Sequence, residues 1–240
     1  MLGIKKLTVG IMPVTNMFRV ASFSGQIADD IIVALKDKPI RNSEYFTELS
    51  GQVGNMQLRN KERGNYLLIN SGNIVLTQER FKAHVDVDKF IDEFAQLWHV
   101  IDETLQVQQV RRIGMVAEHR VFGVDDPSKM LQGALTKYPT SDQAGKFYCT
   151  FEKRIPLARA VSRINVKEDA FTNVVHQFYD SEMDADAPEA GAFNVNLDVQ
   201  RYYTDETGDK VVDEVRSLRR DFEKHWREFQ AQIKGLGLIT

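Results

Sequence analysis

The sequence predicts an α+β fold: a large, mainly antiparallel sheet with two long amphipathic helices, 86–104 and 209–234, packed on one face. Three observations carry the prediction. Several runs alternate apolar and polar residues with period two, which places one side chain in a core and the next in water. Two segments carry apolar residues at three- and four-residue spacing, each with one tryptophan, Trp98 and Trp226. Turn-forming stretches such as Asn70-Ser71-Gly72-Asn73 separate the short runs and supply the positive φ that tight hairpins need.

In order, Lys5 to Met12 alternates and stops at Pro13, as a strand would. Phe18 to Phe23 is expected to form a second short strand. Ser24 then caps a helix whose apolar face is Ile27, Ile31 and Leu35. Between Glu44 and Gln78, four short runs (Tyr45–Leu49, Met56–Leu58, Tyr66–Ile69 and Ile74–Thr77) are expected to pair antiparallel. The helix at 86–104 follows from Val87, Phe90, Ile91, Phe94, Leu97, Trp98 and Ile101, with Asp86 as its cap. A long strand, Val107 to Phe122, has mostly apolar odd positions interrupted by Arg111 and His119. A short helix at 127–137 leads to more alternating runs. In these, Phe147, Cys149 and Phe151 share one face, Ala158, Ala160, Ile164 and Val166 oppose Arg159, Arg163, Asn165 and Lys167, and residues 170–179 add a strand. Phe193, Val195, Leu197 and Val199 then oppose Asn194, Asn196, Asp198 and Gln200. Residues 180–191 read as an acidic, solvated loop. The last helix carries Val211, Val215, Leu218, Phe222, Trp226, Phe229 and Ile233 on one stripe, and Gly235 is a natural stop. Strands followed by a Trp-bearing helix occur twice, which fits one domain, 1–240, or two similar halves, 1–105 and 106–240.

Composition narrows function more than it names it. The 240 residues are 42% hydrophobic and 27% charged, with 31 Lys+Arg against 34 Asp+Glu and a formal charge of −3. Extensive nucleic-acid binding is not expected of that balance, because such binding rests on a strong positive field. Cys149 is the single cysteine, so no intramolecular disulfide forms. No stretch has the roughly 18 consecutive apolar residues of a membrane span, and no signal-peptide pattern opens the sequence. A cytoplasmic protein without membrane association is the expectation.

The sequence holds no phosphate-binding glycine loop, dinucleotide fingerprint, zincin motif or nucleophile elbow, and it calls for no cofactor or metal. His84, Asp86 and Asp88 have metal-ligand spacing on a strand, but Asp86 and Asp88 equally suit the first turn of the following helix. The loop acids lack the glycine and terminal glutamate of a calcium loop: Ala185 and Gly191 occupy those places. The candidate binding residues are Arg112, Glu118 and Arg120, at even positions of one strand, with Arg159 and Arg163 on one face of another. Guanidinium groups and carboxylates so placed build either an ion-pair ladder or a cradle for a small anionic molecule such as a nucleotide.

The stretch Val110-Arg111-Arg112-Ile113-Gly114-Met115-Val116-Ala117-Glu118-His119-Arg120 resembles the mid-chain Arg-x-Gly-hydrophobic strand of a sporadically distributed family of uncharacterised bacterial proteins. That strand is followed in the family by a β-rich half and a C-terminal helix. The resemblance implies no catalytic residues, and sporadic distribution suits genes carried in mobile or antiviral defence clusters. The expected function is therefore a non-enzymatic binding or assembly protein with a protein partner or a second copy of itself, such as an accessory subunit of a defence complex. A sensor or enzyme for an anionic ligand and a phage structural protein are the alternatives.

Overall fold

The computed structural model describes residues 3–36, 38, 40, 45–52, 54–80, 83–137, 146–157, 170–184 and 189–239. Within them, period-two segments form the strands β1 Lys6–Pro13, β2 Glu48–Gln52, β3 Asn55–Asn60, β4 Asn65–Asn70, β5 Ile74–Glu79, β6 Gln109–Phe122, β7 Tyr148–Pro156, β8 Phe171–Asp180 and β9 Ala192–Thr207. They pair antiparallel throughout in one nine-stranded sheet of order β2-β3-β4-β5-β1-β6-β9-β8-β7. Among the described residues four α-helices accompany it: α1 Phe18–Leu35, α2 Val87–Leu105, α3 Pro127–Leu135 and α4 Val211–Gly235. The α+β class, the antiparallel sheet and the two long helices expected from the sequence are thus present.

The helix-facing side of the inner strands is largely apolar. Leu7, Val9 and Ile11 of β1, Leu67 and Ile69 of β4, Ile113, Met115 and Ala117 of β6, and Val195, Leu197 and Val199 of β9 are all essentially inaccessible. They join the apolar stripes of α1, α2 and α4, and Leu131 of α3, in a single core. That burial is the main favourable term, and truncating one large member such as Phe222 to alanine costs about 3–5 kcal/mol. In α2, Asp86 accepts from the Lys89 amide as the N-cap. Trp98, fully buried, donates its indole N–H to the Gly208 carbonyl at 3.0 Å.

Among the described elements a similar order occurs twice: β1, α1, four strands and α2, then β6, α3, three strands and α4. β1 and β6 lie side by side at the centre with Gly10 opposite Gly114, and the remaining strands of each half run outward from them. The stripe Val87, Phe90, Phe94, Trp98, Ile101 and Leu105 of α2 has its counterpart residue for residue in Val215, Leu218, Phe222, Trp226, Phe229 and Ile233 of α4.

Several local expectations need correction. Residues 18–23 form the first turns of α1 rather than a strand. The Phe18–Val20 alternation is too short to define a face, and Val20 is buried seven residues before Ile27 on the same helical side while Phe18 and Phe23 are exposed. The backbone leaves helical geometry at Phe23 (φ −129°, ψ 26°), just before the expected cap Ser24. Strand β2 starts at Glu48, with Tyr45 and Phe46 buried ahead of it. The last helix starts at Val211 after a 3-10 turn, Gly208–Lys210, and runs through Gly235. Along β7, Phe151 is 47% exposed instead of buried, because β7 is an edge strand and α3 packs on β8 and β9. The run 158–167 lies outside the described residues.

Candidate binding face of the sheet

Side chains at alternate positions of β6, β9 and β8 point away from the helices, and the pairing registers arrange them as a grid. Across the three strands the rows are Arg112–Tyr202–Phe171, Gly114–Gln200–Asn173, Val116–Asp198–Val175, Glu118–Asn196–Gln177 and Arg120–Asn194–Tyr179. Gly114 permits close approach in the second row: a Cβ there would stand 3.2 Å from Gln200 Cγ.

Polar contacts run along this grid. At one end Phe171 stacks on Tyr202 at 4.7 Å. The Tyr202 hydroxyl donates to Gln200 Oε1 at 2.9 Å, Arg112 Nη1 reaches the same oxygen at 3.4 Å, and Gln200 Nε2 donates to Asp198 Oδ2 at 2.6 Å. At the other end, Asn196 Nδ2 donates to the Tyr179 hydroxyl, which donates to Glu118, each at 3.4 Å. Arg120 is held by Asp184 at 2.6 Å, Asn194 at 2.8 Å, Glu189 at 3.3 Å and Glu118 at 3.8 Å. Between the ends, Asp198 sits in a row flanked by two valines. Burial pushes its carboxyl up to about 6, opposed by the Gln200 hydrogen bond and the Arg112 charge. Burial also raises Glu118. Burial and the Glu118 charge push the Tyr179 hydroxyl up to about 12. The Oδ1 atoms of Asn173, Asn196 and Asp198 are buried with no hydrogen-bond partner.

Of the residues singled out from the sequence, Arg112, Glu118 and Arg120 all face this side. Glu118 and Arg120 are joined in one network, whereas Arg112 is eight residues from Arg120 along β6, roughly 26 Å of extended strand. Arg159 and Arg163 lie outside the described residues. His119, between Glu118 and Arg120, points the opposite way into the core, as strand alternation requires, and stacks on Trp226 at 3.8 Å. The irregularity between Val110 and Arg112 explains how Arg111 falls on the oily side of the sequence alternation yet is exposed. Asp86 and Asp88 serve α2: Asp86 caps it, and Asp88 pairs with Arg219 at 2.6 Å. The loop acids are not all solvated, since Asp180 is buried against the Ser128 hydroxyl at 2.7 Å and Asp184 binds Arg120. Among the described residues no group of three or more His, Cys, Asp or Glu side chains could hold a metal ion.

Two features were not singled out from the sequence. The outward run Asn194, Asn196, Asp198, Gln200 supplies four of the five β9 positions of the grid, and its signal was present: four successive wet positions with only amide or carboxyl groups. On the helix side, Arg201, an apparent break in an apolar run, is buried with Glu214 at 3.2 Å and Asp221 at 2.6 Å. Tyr203 donates to Glu214 at 2.8 Å. These groups edge a cavity of about 330 Å³ that also touches Lys224 and His225.

No family model and no curated protein matches this sequence. Among solved structures, the rolling circle replication initiator protein from Geobacillus stearothermophilus is similar at 9% identity and a TM-score of 0.31, over 91% of this chain and 78% of that one. A likeness of that size carries no argument about function. No helix among the described residues is long and apolar enough to cross a membrane.

Proposed function

We propose that this chain is a binding or assembly protein that engages a protein partner through the sheet face opposite its helices. The observation that carries this reading is the division of the sheet: the described helices share one core on one side, and the other side presents a broad polar grid. Nine strands at about 4.8 Å spacing span roughly 38 Å, and with strands some 25 Å long the face offers on the order of 900 Å². That is near the roughly 800 Å² each partner contributes to a standard protein interface. Its formal charges balance. Lys6, Arg59, Arg112, Arg120 and Arg154 face Glu48, Glu79, Glu118, Glu152 and Asp198 on the same side. A neutral, amide-rich surface suits a protein partner better than a polyanion, whose binding needs net positive charge.

The test is light scattering of the full chain, alone and with the products of adjacent genes, followed by one substitution on each side of the molecule. Thr8→Arg places a bulky charge at the centre of the open face. Arg216→Ala alters the exposed back of α4. The reading expects an assembly lost with Thr8→Arg and kept with Arg216→Ala. A partnerless monomer, or an assembly indifferent to Thr8→Arg, overturns it.

A further inference from the structure

We infer that the outer edge of β7 pairs antiparallel with the same edge of a second copy of this chain, joining two sheets into one across a twofold axis at Phe151. The contact is made by a strand edge and does not depend on the open face being a binding surface. β7 ends the sheet on one side, and its pairing with β8 runs from Tyr148↔Tyr179 to Pro156↔Phe171 without a bulge. The Leu157 amide donates to the Ala170 carbonyl and the Asp180 amide to the Phe147 carbonyl. In that register the odd residues of β7 turn their peptide groups toward β8. The even residues Tyr148, Thr150, Glu152 and Arg154 turn theirs outward, where no backbone group of the described residues meets them. Sheets ordinarily blunt such edges. At the opposite end, β2 is five residues long and carries Gly51 at φ +139°, outside regular strand geometry. β7 is nine residues long, and its one proline, Pro156, comes last. Tyr148 and Phe151 stand 52% and 47% exposed on its two faces.

The side chains select both the partner and the register. A copy related by a twofold axis presents the same face, so residues of like parity stand opposite one another. Centring the axis on Glu152 sets two carboxylates face to face and asks Pro156, which has no N–H, to donate opposite Tyr148. Centring on Lys153 sets two ammonium groups face to face and places Pro156 opposite Thr150. Centring on Thr150 brings Arg154 against Lys146, which lies outside the strand. Centring on Phe151 meets none of these penalties. Glu152 then faces Thr150 and Arg154 faces Tyr148, each twice by symmetry, and every such pair exchanges two backbone hydrogen bonds. Lys153 comes opposite Cys149. The two Phe151 rings meet in a non-hydrogen-bonded pair, where Cα atoms lie about 4.5 Å apart and aromatic pairs are favourable. Glu152 already accepts from Arg154 of its own strand at 3.3 Å, so neither carboxylate is left bare beside the axis. The charges of this edge thus reject the neighbouring registers and admit one.

Two paired strands make a small interface of the weak, transient class. Sedimentation of the full chain therefore runs up to about 1 mM, where a Kd of about 100 µM gives mostly dimer. The inference expects the mass to double with concentration. Thr150→Pro removes one outward N–H, a change that an edge strand tolerates, and Phe151→Lys sets like charges at the axis. Both variants are expected to keep the native circular dichroism spectrum and to remain monomeric, and Phe151→Lys decides the matter where Thr150→Pro fails to fold. The register is read by crosslinking in a Cys149→Ser background. Phe151→Cys is expected to form an interchain disulfide on mild oxidation at least about tenfold faster than Lys153→Cys, because pairing holds only the former opposite itself within disulfide reach. A monomer over the whole range, a dimer that both variants leave intact, or crosslinking at 153 as fast as at 151 overturns the inference. The open face is scored separately, as an assembly with a second protein that Thr8→Arg abolishes. Thr150→Pro is expected to keep that assembly, so either reading can fail while the other stands.

Discussion

Stability should fall on mild acidification, and His119 is the residue to test. Its ring is fully buried, stacked on Trp226 at 3.8 Å and 10°, with Nδ1 2.6 Å from the Gly3 carbonyl and Nε2 without a partner. The Gly3 contact makes Nδ1 the donor of a neutral ring, so protonation would place an unpaired N–H and a charge against apolar walls. Burial pulls the pKa down to about 3, against a smaller upward pull from the Gly3 carbonyl. In the unfolded chain the ring titrates near 6.5. The unfolded state therefore binds the proton first, and stability is lost as pH drops below 6.5, continuing down to about 3. Between pH 7 and pH 5 the unfolded ring takes up about three quarters of a proton and the native ring almost none, which integrates to about 2 kcal/mol. Asp198 works the other way: its raised native pKa of about 6 favours the folded state on acidification by about 1 kcal/mol over the same range. The contributions are separated by comparing the native chain with His119→Gln, which keeps an amide N–H for the Gly3 carbonyl and does not titrate. Urea unfolding at pH 7, 6 and 5 should show the native chain losing about 2 kcal/mol more than the variant. Parallel stability curves, or a His119 ring whose NMR signals titrate near 6.5, would refute the assignment.

Two further substitutions test the core. Arg201→Met should destabilise by about 3–5 kcal/mol, because it leaves Glu214, only 4% exposed as a side chain, without its buried counter-charge, and adding Glu214→Leu should restore much of the loss in urea unfolding. Trp98→Phe keeps the ring against Phe94 but strips the Gly208 carbonyl of its donor, costing about 1–3 kcal/mol for the unmet acceptor, visible as a lower midpoint of thermal unfolding.

Most of the fold was legible because burial on one side leaves a strong imprint on sequence. The stripe of α4 and the alternation of β9 each extend over many residues, so chance cannot imitate them. Phe18–Phe23 was misread for the converse reason: six residues allow a strand and a helix equally, and only the burial of Val20 in the same core as Ile27 decides. The open face was partly legible. Arg112, Glu118 and Arg120 drew attention by their charge, whereas Asn173 and Asn196 did not, because an amide is ordinary in any sequence. What distinguishes those amides is an oxygen buried without a donor, a property of three-dimensional packing that no spacing encodes. Arg201 was hidden likewise, since its carboxylate partners lie on another element.

The bond from Trp98 to the Gly208 carbonyl spans 110 positions, and that separation orders events during synthesis. A ribosome that has released residues 1–105 has made α2 but not the acceptor for its indole, and the β1 edge that will meet β6 is still bare. Exposed strand edges of this sort recruit other chains. The nascent protein must pass through a sticky interval that closes only when β6 zips onto β1 and the turn at Gly208 emerges, so messages truncated between those points should yield insoluble product rather than a smaller folded unit.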